Sequence, residues 1–282
     1  MADSRNGRVW LITGTSSGFG RAFAEAVIAH GDSVLAAVTQ PEKNADLAEA
    51  APDRFRAVKV DVTNPEQVHD AVRAAVETFG RIDVVVNNAG YGLFAGVEEA
   101  SDEQIRRQFE VNVFGLFSVT RAALPVLRRQ HSGHIIMMSS FAGVVGAPGL
   151  AWYDATKFAV EGFSEALAAE AEPIGVKVTI VEPGNFRTNW MGSSMDKAKP
   201  IADYSTSIDY VRNIFDDLNG SQPGDPAKAA QALIRIVEEE KPPLRLVLGA
   251  DALEAIRDKL ENQLAEHKDW MEITLNVGFE EA

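Results

Sequence analysis

Seven short runs rich in aliphatic and β-branched residues recur along the chain. Between them lie longer stretches whose apolar residues fall at helical spacing. The runs are RVWLIT (8–13), SVLAAV (33–38), FRAVKV (55–60), IDVVVN (82–87), HIIMMS (134–139), VKVTIV (176–181) and LRLVLG (244–249). The patterns between them predict helices over 19–30 and near 42–50, 65–79, 101–129, 152–172, 226–240 and 251–267. Such alternation favours a parallel sheet, because a chain must cross back over the sheet to add a strand in the same direction. IDVVVN is apolar almost throughout rather than at every second residue, which suits strands covered by helices on both faces. Local punctuation agrees: Gly31 ends the first helix, Ser101 and Gln104 form a capping box, and Asp225 caps a helix that begins at Pro226.

The first strand runs into TGTSSGFG (13–20), with glycines at 14, 18 and 20, at the start of the first helix. Glycine admits positive φ and close backbone approach, and a helix N-terminus offers free N–H groups and a positive dipole end. In a doubly wound sheet this first strand–turn–helix unit is where a dinucleotide's pyrophosphate sits. The expectation is one α/β domain over 1–282, a doubly wound Rossmann fold with a seven-stranded parallel sheet. The segment 184–224 is too long for an ordinary connection and reads as an irregular substrate lid. The tail 268–282 carries no readable signal.

Composition excludes several functions. The formal charge is −14 and the pI about 4.8, which argues against nucleic acid and anionic membrane surfaces as partners. With no cysteine, disulfides, thiolate metal sites and cysteine nucleophiles are out. No His/Asp/Glu set has metal spacing, so no metal is expected. The first residues lack the pattern of a signal peptide, and no uninterrupted apolar run approaches the length of a membrane span. A cytoplasmic protein is expected.

YDATK (153–157) sets a tyrosine four residues before a lysine, on one face of a helix. A nearby cation favours the phenolate, so the expectation is a tyrosine pKa moved down toward neutrality.

Together, TGTSSGFG, Asp61-Val62, NNAG (87–90), Asn112, Ser140, Tyr153, Lys157 and PGNFRT (183–188) resemble the short-chain dehydrogenase/reductase family in order and spacing, over about 8–250. The T-G-x(3)-G-x-G spacing is similar to the branch with subunits of roughly 250 residues. The resemblance implies an NAD(P)-dependent oxidoreductase that interconverts a carbonyl compound and an alcohol by hydride transfer, and the apolar and aromatic residues expected around the pocket favour a hydrophobic ketone or aldehyde. It makes Tyr153 the general acid/base, and Lys157 the group that lowers its pKa and binds the nicotinamide ribose. Ser140, thirteen residues before Tyr153, would hydrogen-bond the substrate oxygen, with Ser139 as strand-end support. Asn112 would hold a water linking Lys157 to solvent. Gly14, Ser16, Ser17, Gly18, Phe19, Gly20, Thr39, Asp61, Val62, Asn88, Ala89, Gly90, Pro183, Gly184 and Thr188 would bind the coenzyme alongside Tyr153 and Lys157.

The second strand ends at Val38, where NAD-binding members of the family usually carry an acid, and continues with Thr39 and Gln40. No carboxylate opposes a 2′-phosphate, so NADP(H) is favoured over NAD(H). Ser17, Thr39 and Gln40 can donate hydrogen bonds to it, and Arg21 or Lys43 can lend charge. Expected pocket walls are Leu93, Phe94, Phe141, Val145, Ala147, Pro148, Trp152, Phe186 and Trp190, with Tyr91 beside them. Helices 101–129 and 152–172 are surfaces this family pairs, which implies a homodimer or homotetramer. The alternative is a non-catalytic NAD(P)-binding regulator on the same fold. An epimerase or dehydratase is disfavoured by glycine spacing and length.

Overall fold

A computed structural model of the protein describes residues 7–279. The main sheet contains β1 (Val9–Thr13), β2 (Ser33–Val38), β3 (Phe55–Lys59), β4 (Val84–Asn87), β6 (Gly133–Met138), β7 (Val176–Pro183) and β9 (Arg245–Leu248). All are parallel, in the order β3-β2-β1-β4-β6-β7-β9. The chain builds outward from β1 to β3, then returns to place β4 on the other side of β1. That reversal opens a crevice at the carboxyl ends of β1 and β4.

Successive strand residues point to opposite faces. Leu11, Leu35, Val85 and Ile135 pack beneath α3 (Pro65–Phe79), α5 (Leu116–Gln130) and α6 (Ala151–Ala171). Trp10, Ile12, Val34, Ala36 and Val84 pack on the other face, against α1 (Gly18–His30) and α8 (Pro226–Glu238). The helix ends follow the local chemistry. Gly31 at φ 104° closes α1, Asp225 caps α8 before Pro226, and Ser101 and Gln104 form a reciprocal capping box at α4 (Asp102–Phe109). The remaining element in this half, α2 (Ala45–Ala50), follows β2.

The sequence pattern misleads in three places. The helix expected over 101–129 is three pieces, α4, a π-helical turn at Glu110–Gly115 and α5. Asn112 sits inside that turn. The stretch Asp102–Gln130 does meet the length and composition of a membrane-crossing helix, although no single apolar run does, and half of that window is buried against the protein body. Finally, 184–224 is not uniformly irregular. It holds β8 (Met195–Lys197), which pairs with the short strand β5 (Gly92–Phe94), and α7 (Ser205–Leu218). Ile208 and Val211 of α7 form a small core with Phe94, Leu150 and Met195. Beyond β9 run α9 (Ala250–Asp269) and α10 (Met271–Leu275); the apolar residues of α10 are exposed.

Candidate active site

A cleft of about 770 Å³ opens where the strand order reverses. Its floor is the glycine loop. Gly14 (φ 73°) and Gly18 (φ 57°) hold left-handed conformations that side chains resist. A Cβ on Gly20 would lie 2.2 Å from the Gly14 carbonyl oxygen, so the helix can approach the loop only without a side chain there. Asn88 locks the loop to β4: its Nδ2 donates to the Thr13 and Gly14 carbonyls at 2.8 and 3.1 Å, and the Asn88 and Ala89 N–H groups donate to Thr13 Oγ1 at 2.9 Å each. Ser17 makes no capping bond to α1, and the first turn has no acid. The N–H groups of that turn are therefore unspent, and the dipole end is not neutralised. This cradle fits a pyrophosphate.

Of the residues assigned to the coenzyme, Gly14, Ser16, Ser17, Gly18, Phe19, Thr39, Asp61, Val62, Asn88, Ala89, Gly90, Tyr153, Lys157, Pro183, Gly184 and Thr188 all border this cleft. Gly20 does not; it underlies the loop. Asp61 Oδ1 accepts from the Thr63 N–H and hydroxyl at 3.0 and 2.7 Å, which fixes its carboxylate at the end of β3. Arg21 is not available as an anion ligand, because its guanidinium is bound to Asp46 and, at 2.6 Å, to Glu25.

Tyr153 and Lys157 face the middle of the cleft from α6, with Ser140 beside them at the end of β6. Lys157 Nζ lies 5.6 Å from the centre of the Tyr153 ring and donates to the Met138 carbonyl at 2.8 Å. Ser140 Oγ meets the phenol and accepts from the Ala142 N–H at 3.2 Å. Burial pushes the Tyr153 phenol well up, against the hydrogen bond from Ser140. The expected downward shift is thus not met: desolvation, with Asp154 nearby, outweighs the Ser140 hydrogen bond in this buried setting. Burial also lowers Lys157 to about 8, opposed by Glu161. Asn112 is buried but does not line the cleft. Its Oδ1 accepts the Tyr91 N–H at 3.1 Å, and its Nδ2 donates to the Tyr91 carbonyl at 2.9 Å and to Thr156 Oγ1 at 3.3 Å. It ties the β4–β5 loop to α6 between the tyrosine and the lysine.

The outer compartment differs from the expected one. Phe141, Phe186, Trp190 and Tyr91 line it, and the Trp190 ring lies 4.9 Å from Tyr153. Phe94 does not: it is buried behind the wall with Ile208 and Val211, and Leu93 is core. Val145, Ala147 and Pro148 are likewise off the cleft; Ala147 is held by its N–H to Asp154 Oδ2 at 2.8 Å. Trp152 faces a separate cavity of about 390 Å³ with Ile105, Phe109 and Phe114. It is one residue from Tyr153, hence about 100° round the helix, so both cannot face the cleft. The positions missed by sequence reasoning include Arg107, Val111, Leu150, Asn189, Met191, Ser193, Ser194, Met195, Asp196 and Phe215. The spacing of Ile208, Val211 and Phe215 was the available signal for α7, and through it for Phe215.

Comparison with known proteins agrees with this geometry. A family model described as short chain dehydrogenase matches residues 8–199. Oxidoreductase BOA17 of Botryotinia fuckeliana is 41% identical over 269 residues, covering 95% of this chain and 98% of that protein. A 3-ketodihydrosphingosine reductase of Bacteroides thetaiotaomicron is 36% identical over 246 residues, covering 86% and 88%. Among solved structures, a short-chain dehydrogenase from Streptomyces avermitilis superposes with TM-score 0.90 at 40% identity, covering 97% of this chain and 99% of that one. One from Burkholderia phymatum, in complex with NAD, gives TM-score 0.79 at 25% identity, with 98% of each chain covered.

Proposed function

The chain belongs to the short-chain dehydrogenase family, and on that footing we propose that it interconverts a hydrophobic ketone or aldehyde and the corresponding alcohol, with Tyr153 as general acid/base. The observation that carries this reading is the position of Ser140, Tyr153 and Lys157. They stand where the glycine-loop half of the cleft meets a compartment of Phe141, Leu150, Phe186, Trp190, Met191 and Phe215.

A nicotinamide coenzyme supplies the hydride in reduction and takes it up in oxidation. The protein's groups manage the oxygen. Tyr153 gives its proton to the carbonyl oxygen in reduction and removes it from the alcohol in oxidation. The high pKa that burial imposes keeps the phenol protonated, ready to donate. Lys157 places positive charge beside it and stabilises the phenolate left after transfer. Ser140 donates to the same substrate oxygen as charge develops there. With the coenzyme bound, Gly14, Ser16, Ser17, Gly18 and Phe19 would hold the pyrophosphate, Asp61 and Val62 the adenine end, and Pro183, Gly184 and Thr188 the carboxamide. Asn112 fixes the backbone at Tyr91, close to the acid/base pair.

NADP(H) is preferred in this reading, because Val38 and Thr39 put no carboxylate at the end of β2. With Arg21 tied to Asp46, the phosphate charge falls to Lys43 and to hydroxyl donors. The segment 184–224 serves as a lid, supported by β8, which spans to β5 and carries Met195 onto the cleft. The aromatic and aliphatic wall of Phe141, Leu150, Phe186, Trp190 and Phe215 favours a bulky apolar substrate over a polyol, while Arg107, Asn189, Ser193 and Ser194 give the same cleft polar donors. Exposed Phe114 and Phe158, beside the helices this family pairs, support association with a second copy there. A panel of bulky ketones with NADPH and NADH tests the reading. Turnover with Tyr153→Phe inactive supports it. Coenzyme binding without turnover of any carbonyl compound would instead make the chain a nucleotide-binding regulator.

A further inference from the structure

Lys157 has one hydrogen-bond acceptor, the Met138 carbonyl, and is almost wholly buried. A desolvated ammonium with only a backbone carbonyl beside it tends to give up its proton. Its counter-charge lies behind it, away from the cleft. Tyr153, Lys157, Glu161 and Glu165 follow each other at intervals of four along one stripe of α6. Glu161 is buried at the next turn after the lysine, and its side chain lies on the same side of Gly143 as Ser139 Oγ, which like Glu161 Oε1 has no hydrogen-bond partner among the described residues. Gly143 makes room for this pair: a Cβ there would lie 2.6 Å from Ser139 Oγ and 3.0 Å from Glu161 Cγ. Arg245 of β9 then gathers three acids. Its Nε is 3.3 Å from Glu161 and 3.4 Å from Glu182 of β7, and its outer nitrogen is 2.6 Å from the exposed Glu165.

We propose that Glu161 is the positioning residue that keeps Lys157 cationic, with Arg245 and Glu182 holding its carboxylate in place behind the lysine. This rests on the reading of Lys157 as a working cation of the cleft. The charged and titratable groups around the lysine are few. On α6 they are Tyr153, Asp154, Glu161 and Glu165; β7 adds Glu182 and β9 adds Arg245. β6 adds none, since its His134 lies at the opposite end of the strand against Thr179, kept neutral by burial. Asp154 is turned to the loop at Ala147, and Glu165 is exposed two turns away, leaving Glu161 as the nearest buried acid on the lysine's own stripe. Burial raises Glu161, and it raises Glu182 to about 7, while the Arg245 guanidinium acts on both in the opposite direction. The charge felt by Lys157 is therefore set by this cluster.

The test reads coenzyme affinity against pH, by quenching of tryptophan fluorescence, together with the pH profile of kcat/KM. Lys157 sits near 8, so affinity is full below that pH and declines above it. Glu161→Gln, equal in size and without the charge, should move this alkaline limb down by about one pH unit, a tenfold change in the lysine's proton affinity. Glu170→Gln removes a charge from the exposed far end of the same helix and should leave the limb in place. Glu182→Gln gives Glu161 sole claim on the buried side of Arg245 and should move the limb up; this variant decides the matter if Glu161→Gln fails to fold. A limb unmoved in folded Glu161→Gln, or unmoved or moved down in Glu182→Gln, overturns the proposal. If no carbonyl compound turns over, the affinity limb still tests Glu161, so the two readings fail separately.

Discussion

The two halves of the cleft are built by different means. The coenzyme half is backbone: a loop with two glycines at positive φ, an uncapped helix start, and Asn88 bonded to two carbonyls of the loop. All of this comes from residues close in sequence, or from the strand directly beside them. The outer half is side chain, assembled from α4, the loop after β6, α6, the turn at Asn189–Met191 and α7. Its members lie more than a hundred residues apart, and each faces the cleft only because an element is rotated by a particular amount. Backbone-built sites are thus legible as motifs, while side-chain walls depend on packing.

The largest effect expected is at the junction of the halves. Tyr153→Phe should lower kcat by about 10²- to 10⁴-fold while coenzyme affinity holds, measured by steady-state kinetics and a binding titration. A loss of less than tenfold would remove Tyr153 from acid/base work. Next, Trp190→Ala should strip an aromatic wall from the outer half only. Substrate KM should rise about ten- to hundredfold, the equivalent of about 1.5–3 kcal/mol of lost apolar contact, with coenzyme affinity unchanged. If coenzyme binding falls in parallel, the two halves are not separable. Gly20→Ala is the converse experiment. Its new Cβ meets the Gly14 carbonyl, so folding should lose about 1–3 kcal/mol in denaturant melts, and coenzyme affinity should fall with it.

A smaller effect is linked to pH. Burial raises Asp154 to about 7, from an ordinary 3.8. Between those values the folded state holds a proton that the unfolded state has released, so this group makes stability fall as pH rises from about 4 to 7. Asp154→Asn should therefore gain thermal stability relative to the parent as pH increases. An offset in melting temperature that stays constant from pH 5 to 8 would show that the acid is not held protonated. Smallest of all, Arg21→Ala should change the ratio of NADPH to NADH affinities by less than about fivefold, because its charge is already spent on Asp46 and Glu25. A larger drop in NADPH affinity would return Arg21 to the phosphate site.

Much of the fold could be read in advance. The seven runs are the seven strands of the main sheet; the glycine loop and the Tyr153–Lys157 interval were legible by spacing, and Asn88 and Ser140 entered through the family resemblance. The fine structure of Asn112 was only half visible. An asparagine among Val111, Val113 and Phe114 marks a break in an apolar helix, but a π turn with both amide atoms spent on the Tyr91 backbone comes from the tertiary setting. Phe94, Val145 and Trp152 failed as wall residues for one reason. Apolar character says that a side chain will be covered, and does not say by which neighbour.

By itself the sequence determined what depends on periodicity and local backbone chemistry: parallel strands under helices, glycines where a phosphate-binding loop must approach a helix, and a phenol and an amine one turn apart. Only the tertiary structure decided the electrostatics of that pair and the identity of the outer wall. A pKa depends on how much water is removed and on which charges lie across the sheet, such as Arg245 and Glu182. Those are distances between elements remote along the chain, fixed only when the layers pack.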